Sequence, residues 1–259
     1  MNVRFLALAA VAAISGAAAH AGTYTVKLGG AHIDPRATSS PLRGELPAVV
    51  SGTFYGNVVI DGGLRLAVQP KATLIFSIER ALAGPWSAEL VLGVPPKHDV
   101  KLRAATPALT ADGSYPDPIA SLKVARTTEK LQAADGQVVA TVKQVAPTLF
   151  VNYAFLDATS AWRPYVGVGI NYTRMKAESN ALGDALYNDG PVRIKLSHSL
   201  GPALQAGVRY QFDPQWSFNV GWAVAKIKND LRIRTDRSEQ RADYRFYPSV
   251  WSATVGYSF

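Results

Sequence analysis

The last nine residues constrain this chain more than any others. Trp251, Ala253, Val255, Tyr257 and Phe259 share one parity; Ser252, Thr254, Gly256 and Ser258 share the other. Successive side chains of a strand point to opposite faces, so this is a strand with one large apolar face and one small polar face. A soluble sheet would bury the large face in a protein core. The inverse arrangement sets it against lipid and turns the small polar face into a lumen.

The pattern recurs. Trp216, Phe218, Val220, Trp222 and Val224 alternate with Ser217, Asn219, Gly221 and Ala223. Leu204 to Phe212, Val166 to Tyr172, Leu149 to Phe155, Trp86 to Val94, Leu74 to Ile78 and Tyr24 to Leu28 repeat it, giving eight segments. An even number suits a closed antiparallel barrel, and closure matters because an open edge would strand N–H and C=O groups in hydrocarbon. Short links at Ala83–Pro85, Asp157–Trp162 and Asp213–Gln215 alternate with long ones at Pro35–Lys71, Lys97–Lys143, Arg174–Ser197 and Lys228–Tyr244. The expected fold is therefore all-β: an eight-stranded antiparallel transmembrane β-barrel with short periplasmic turns and long extracellular loops. Aromatic residues beside the short turns read as an interfacial girdle. A soluble lipocalin-like barrel would need large apolar side chains inside, where this chain offers Gly, Ser, Thr and Asn.

Other features agree with export to a bacterial outer membrane. Arg4, the apolar run Phe5 to Ile14 and Ala19-His20-Ala21 form a signal peptide over residues 1–21, leaving 22–259 as the barrel. No run reaches the roughly 18 apolar residues a spanning helix needs. The net charge of +8 would allow a nucleic-acid partner, but the basic residues lie between strands and no binding motif accompanies them, so none is expected. Without cysteine, and with His32, His98 and His198 in separate segments, neither a metal nor another cofactor is expected. Gly167-Val168-Gly169 lies inside a strand and is no nucleotide loop. His198-Ser199 at a rim is the one pair that could suggest lipid chemistry, and it reads as a loop-to-strand junction. No enzyme is expected.

Several strings carry a resemblance. They are Val26-Lys27-Leu28-Gly29-Gly30-Ala31-His32-Ile33-Asp34-Pro35, Pro96-Lys97-His98-Asp99-Val100, Arg163-Pro164-Tyr165-Val166-Gly167-Val168-Gly169-Ile170-Asn171-Tyr172 and Gly201-Pro202-Ala203-Leu204-Gln205-Ala206-Gly207-Val208. With the closing Val255-Gly256-Tyr257-Ser258-Phe259, the chain resembles the OmpW family of small outer-membrane barrels. Residues 35–70 and 104–134 are long for that family. The resemblance implies passive uptake of small hydrophobic molecules. The alternative is a non-transporting surface receptor, adhesin or envelope-stabilising barrel.

Candidate sites follow from parity and position. Lys27, Glu79, Glu89 and Arg209 point into the periplasmic half of the bore, where charges must pair. Eight strands leave an interior that side chains nearly fill, so transport needs an external funnel and an exit other than straight through. Leu182, Leu186 and Tyr187 are candidates for the funnel. Pro147, Pro202 and Pro248 lie ten or eleven residues before a periplasmic end, roughly 25–28 Å up a tilted strand. Each lacks an N–H and could form the lip of a lateral opening. Arg232, Arg234, Arg237 and Arg241 suit contact with lipopolysaccharide phosphates, with local salt bridges as the plainer reading. The expected partners are outer-membrane lipids, lipopolysaccharide and small hydrophobic solutes.

Overall fold

The computed structural model describes residues 24–259, so the signal peptide expected over residues 1–21 lies outside the described residues. The chain makes four excursions joined by short turns. β1 (Tyr24–Asp34) leads into β2 (Ala37–Ser39), β3 (Arg43–Val50), β4 (Thr53–Gly62) and β5 (Arg65–Val68), and β6 (Lys71–Ala81) returns. β7 (Trp86–Gly93) leads into β8 (Lys97–Arg103), β9 (Ala108–Ala111), helix α1 (Ile119–Ala133) and β10 (Val138–Val145), and β11 (Thr148–Ala154) returns. β12 (Trp162–Ser179) continues into helix α2 (Ala181–Tyr187) and β13 (Arg193–Leu196) before β14 (Ser199–Gln211) returns. β15 (Trp216–Ala225), β16 (Ile227–Arg234) and β17 (Glu239–Phe246) precede the closing β18 (Ser249–Ser258).

Eight strands close the barrel, in the order β1, β6, β7, β11, β12, β14, β15, β18 and back to β1. The polar atoms of the backbone are thus paired around the ring, as hydrocarbon requires. β12 marks where the membrane ends. Its outward parity reads Val166, Val168, Ile170, Tyr172, then Arg174, Lys176 and Glu178; its inward parity reads Gly167, Gly169, Asn171, Thr173, then Met175 and Ala177. Both faces change polarity at the same height because the outer solvent changes there from lipid to water. Trp162 to Tyr172 spans about 25 Å along the barrel axis, the height of an apolar belt.

The periplasmic end carries an aromatic girdle. Trp86 meets Tyr153 at 5.1 Å and Tyr153 meets Phe155 at 5.2 Å between ring centroids. Trp162 meets Tyr210 at 4.6 Å. Trp216 meets Tyr257 at 5.0 Å, and Phe259 stacks between Tyr257 and Tyr24. The terminal phenylalanine therefore joins the first and last strands of the barrel at the membrane interface.

The long connections are not loops in the main. β10, with β8 and β5 beyond it, prolongs the barrel wall beside the upper end of β12, from Arg174 to Ser179, and β13, β16, β17, β3, β4 and β9 form a second sheet. Ile227, Leu231, Ile233, Tyr244 and Phe246 turn inward and pack with Leu42, Leu46, Leu102, Leu131, Leu186 and Tyr187 in one cluster. Burying each large side chain contributes roughly 1.5–3 kcal/mol. The long connections stand where they were expected, and they fold into this cap because, above the lipid, the apolar parity faces the protein's own interior.

Candidate functional site

Inside the membrane the lumen is closed by charge. Glu79 and Glu89 stand directly opposite each other on neighbouring strands. Like charges in that position repel, and Lys27 lies between them, its Nζ 2.7 Å from Glu79 Oε2 and 2.8 Å from Glu89 Oε1. Arg209 makes a further ion pair to Glu79, and its Nε donates to Asn219 Oδ1 at 3.2 Å. Ser77 Oγ donates to Glu89 at 2.7 Å, and Asn152 and Gln205 donate to its other oxygen at 3.0 and 3.1 Å. Two cations thus meet two carboxylates, and neutral donors fill the remaining lone pairs. That combination makes a buried charge cluster tolerable.

Glycines make room for the plug. A Cβ on Gly207 would stand 2.5 Å from the Tyr165 hydroxyl and 2.5 Å from the Val220 carbonyl oxygen. Tyr165 therefore lies across the wall and fills bore beside Lys27, whose Nζ is 5.8 Å from the ring centroid.

Above the plug three cavities follow one another outward. The first, about 150 Å³, rests on Lys27, Ser77 and Glu89. The second, about 50 Å³, is walled by Leu66, Val68, Val100, Met175, Leu196 and Phe246 among others. Gln144, Ile227 and Pro248 line both of these, so the two adjoin. The third, about 50 Å³, includes Leu46, Leu131, Leu186 and Tyr187, and shares Leu66, Ala140, Ile194 and Ile233 with the second. Leu182, by contrast, is exposed. Tyr187 donates its hydroxyl to Gln240 Oε1 at 2.7 Å, and burial pushes that hydroxyl above the usual phenol range.

The barrel wall is interrupted beside the first cavity. β7 and β11 pair as far as Val91 and Thr148. Pairing resumes between β8 and β10 at Lys97 and Lys143, with the Gln144 N–H donating to the Pro96 carbonyl at 3.1 Å. Residues 92–95 and 145–147 face each other outside the ladder. The cavity reaches this gap, since Leu92, Gly93 and Pro96 line it on one side and Gln144, Ala146 and Thr148 on the other. Val94 and Val145 are exposed at the gap's outer edge.

The other two prolines differ. The ladder runs past Pro202, which pairs with Ile170, continues to Thr173 and Ser199, and accepts the Lys226 N–H at 2.9 Å. An exposed proline there breaks no seam. Pro248 sits between Phe246, paired with Ile227, and Ser249, paired with Val224, and forms part of the roof of the first cavity.

The OmpW family model matches residues 21–259. The chain belongs to the OmpW family. Outer membrane protein W of Escherichia coli (strain K12) is 34% identical over 121 residues, 47% of this chain and 56% of the relative. Its namesake in Vibrio cholerae is 34% identical over 118 residues, 45% of this chain and 53% of the relative. The chain thus spans about half the length of these curated relatives. The crystal structure of the outer membrane protein OprG from Pseudomonas aeruginosa superposes with a TM-score of 0.67 at 23% identity, covering 92% of this chain and 96% of that one. Outer membrane protein AlkL in lipid bilayers gives 0.53 at 18%, covering 95% and 93%. At these identities what is shared is the fold. This OmpW-family chain is a protein of the bacterial outer membrane.

On the outside of the OmpW-family cap, β16 and β17 expose a basic face. Lys195, Arg232, Arg241 and Arg43 stand opposite one another across four neighbouring strands. Glu239 answers three arginines: Arg241 at 2.6 Å, Arg232 at 3.4 Å, and Arg234. The hydrogen bonds from Arg241 and Arg234 hold its carboxyl below the usual range. Arg237 stands apart, 3.6 Å from Asp189 and over the Phe54 ring. At the rim, the Tyr172 hydroxyl is 2.9 Å from His198 Nδ1, and Ser199 Oγ accepts the Lys228 N–H at 2.9 Å, so histidine and serine are each engaged elsewhere.

Beyond Leu186 and Tyr187, the interior of this OmpW-family cap rests on residues outside the expected funnel. Its signal was present: Ile227, Asn229, Leu231 and Ile233 alternate with Lys228, Asp230, Arg232 and Arg234. The arginines form the charged outer parity, and the apolar parity between them is the wall of the second and third cavities.

Proposed function

We propose that this outer-membrane barrel passes small hydrophobic molecules from outside into the outer leaflet. The solute enters the apolar cap, descends to the cavity above the plug and leaves sideways between β7 and β11 beside Pro147. The observation that carries this reading is the run of linked apolar cavities that ends below on ion pairs and to one side on unpaired wall. Passage straight down would separate Lys27 from its carboxylates, and breaking a buried pair costs about 3–5 kcal/mol. Sideways passage breaks none, and the Val94 and Val145 side chains offer the solute an apolar threshold. One relative supports an apolar solute by its name: the dibenzothiophene metabolism operon protein PahQ of Pseudomonas aeruginosa, 22% identical over 186 residues, 72% of this chain. The scheme asks no catalytic group of the chain.

Outside, the basic face is proposed to hold lipopolysaccharide phosphates. One carboxylate among three arginines leaves guanidinium donors for bidentate anion contacts. This anchors the cap and does not itself move solute.

The test is uptake of a panel of apolar solutes into vesicles with and without the protein. Faster loading of the protein-containing vesicles supports the channel. Equal loading with the barrel folded would favour the non-transporting receptor, adhesin or stabiliser.

A further inference from the structure

The second cavity is apolar except at a few atoms, and one of these is out of place. His98, on β8, is buried beside Val100 and faces Val142 across the ladder. Its Nδ1 lies 2.8 Å from the Gln69 carbonyl oxygen, which can only accept. The ring proton therefore sits on Nδ1, and Nε2 presents a lone pair. That Nε2 is buried and has no hydrogen-bond partner among the described residues. Burial also pushes the imidazole below its usual value, against the weaker pull of Gln69, so the ring is neutral at physiological pH. Of the other polar lining groups, the Tyr244 hydroxyl donates to the Leu66 carbonyl at 3.3 Å, and Gln144 lies at the junction with the first cavity. Buried polar atoms are nearly all satisfied in folded proteins, and an orphan in a cavity wall invites a ligand atom. A leucine or phenylalanine would close this wall without loss.

We propose that His98 Nε2 is the recognition point of the chamber, and that it accepts a hydrogen bond from a solute with an apolar body and a single donor, a phenol or an alcohol. This rests on the reading of the cavities as a solute path, and narrows the solute class within it. The apolar body lies against Val68, Val100, Met175 and Leu196; the hydroxyl turns to His98. Such a site captures the solute without trapping it, because a single neutral hydrogen bond exchanges for one with water at small net cost.

The experiment compares 4-propylphenol with 4-propylanisole, which has the same skeleton and no donor. Binding to the full barrel in nanodiscs is measured by calorimetry against empty nanodiscs. The phenol should bind about twofold to tenfold more tightly, the range one neutral hydrogen bond allows. His98→Leu should lower phenol binding to the anisole level and leave the anisole unchanged. His98→Gln keeps an acceptor and should retain part of the preference. Histidine labelled with ¹⁵N gives a readout that needs no variant: the Nε2 resonance of His98 should move with the phenol and stay put with the anisole. Equal binding of both probes, or a preference that survives His98→Leu, overturns the assignment of His98 and leaves the channel standing. Absence of binding for both probes overturns the assignment together with the solute path.

Discussion

Replacing Lys27 by methionine tests the plug most directly. Methionine keeps most of the volume and removes the charge that separates Glu79 from Glu89. Removing one partner of a buried pair costs about 3–5 kcal/mol, most of it from the charge left behind. Here the loss is shared unequally. Glu79 keeps Arg209, whereas Glu89 keeps only the neutral donors Ser77, Asn152 and Gln205. The lower end, about 3 kcal/mol, is therefore expected. In urea titration of the barrel in vesicles, a slope of about 1–3 kcal/mol/M turns this into a midpoint lowered by roughly 1–3 M. Adding Glu89→Gln to Lys27→Met removes the abandoned charge and should restore much of the loss, giving a coupling energy in a double-mutant cycle. A single substitution costing under about 1 kcal/mol, or a double variant no more stable than the single, would refute the argument that the lumen is held by compensated charge. Solute uptake adds a second reading: it should be unchanged if the exit is lateral and should rise if the path runs through the plug.

Pro147→Val supplies an N–H on the β12 side, where the Pro147 carbonyl already accepts the Tyr172 N–H at 3.0 Å, and so stiffens the strand that borders the gap; uptake should fall while the urea midpoint stays equal or rises, and unchanged uptake would remove Pro147 from the exit. Leu186→Ser with Tyr187→Ser should slow uptake without reducing the amount of folded barrel, because both residues lie in the cap outside the membrane ladder. Arg232→Ala with Arg241→Ala should weaken lipopolysaccharide retention on a column, with a smaller salt dependence than the parent; equal retention would assign the row to Glu239 alone. Partial burial pushes the Asp112 carboxyl up, but hydrogen bonds from Lys123, Ser114 and the Asn57 amide overcome it and hold it well below the usual range. A lowered folded value means stability that is present above the unfolded value of about 3.9 and lost as pH falls below it. Amide signals of α1 should therefore lose dispersion below about pH 4, and Asp112→Asn should flatten that dependence.

Strand identity and parity were legible in the sequence because both are local. A period of two in Trp251–Phe259, Trp216–Val224 or Val166–Tyr172 needs only neighbouring residues to declare itself, and it sorts the side chains onto two faces. The family strings added the fold, and the comparisons support both. The cap was not legible because the same alternation changes meaning with its surroundings: Leu231 and Ile233 turn inward above the membrane, whereas Val166 and Val168 turn outward within it. Periodicity reports two faces and is silent on which solvent meets each. Partnership was decided by the tertiary structure alone. Parity sends four charges into the bore, but Lys27 meets Glu89 across 62 positions and Arg209 meets Glu79 across 130. The prolines lie at similar distances along their strands, yet the wall lapses beside Pro147 and runs on past Pro202, because pairing there depends on where β8 and β10 come into register. His98 looks in sequence like any corner residue; its unshared Nε2 exists only because Gln69, Val100 and Val142 close around it. Local chemistry sets what each residue can do, and long-range register sets which residue it does it with.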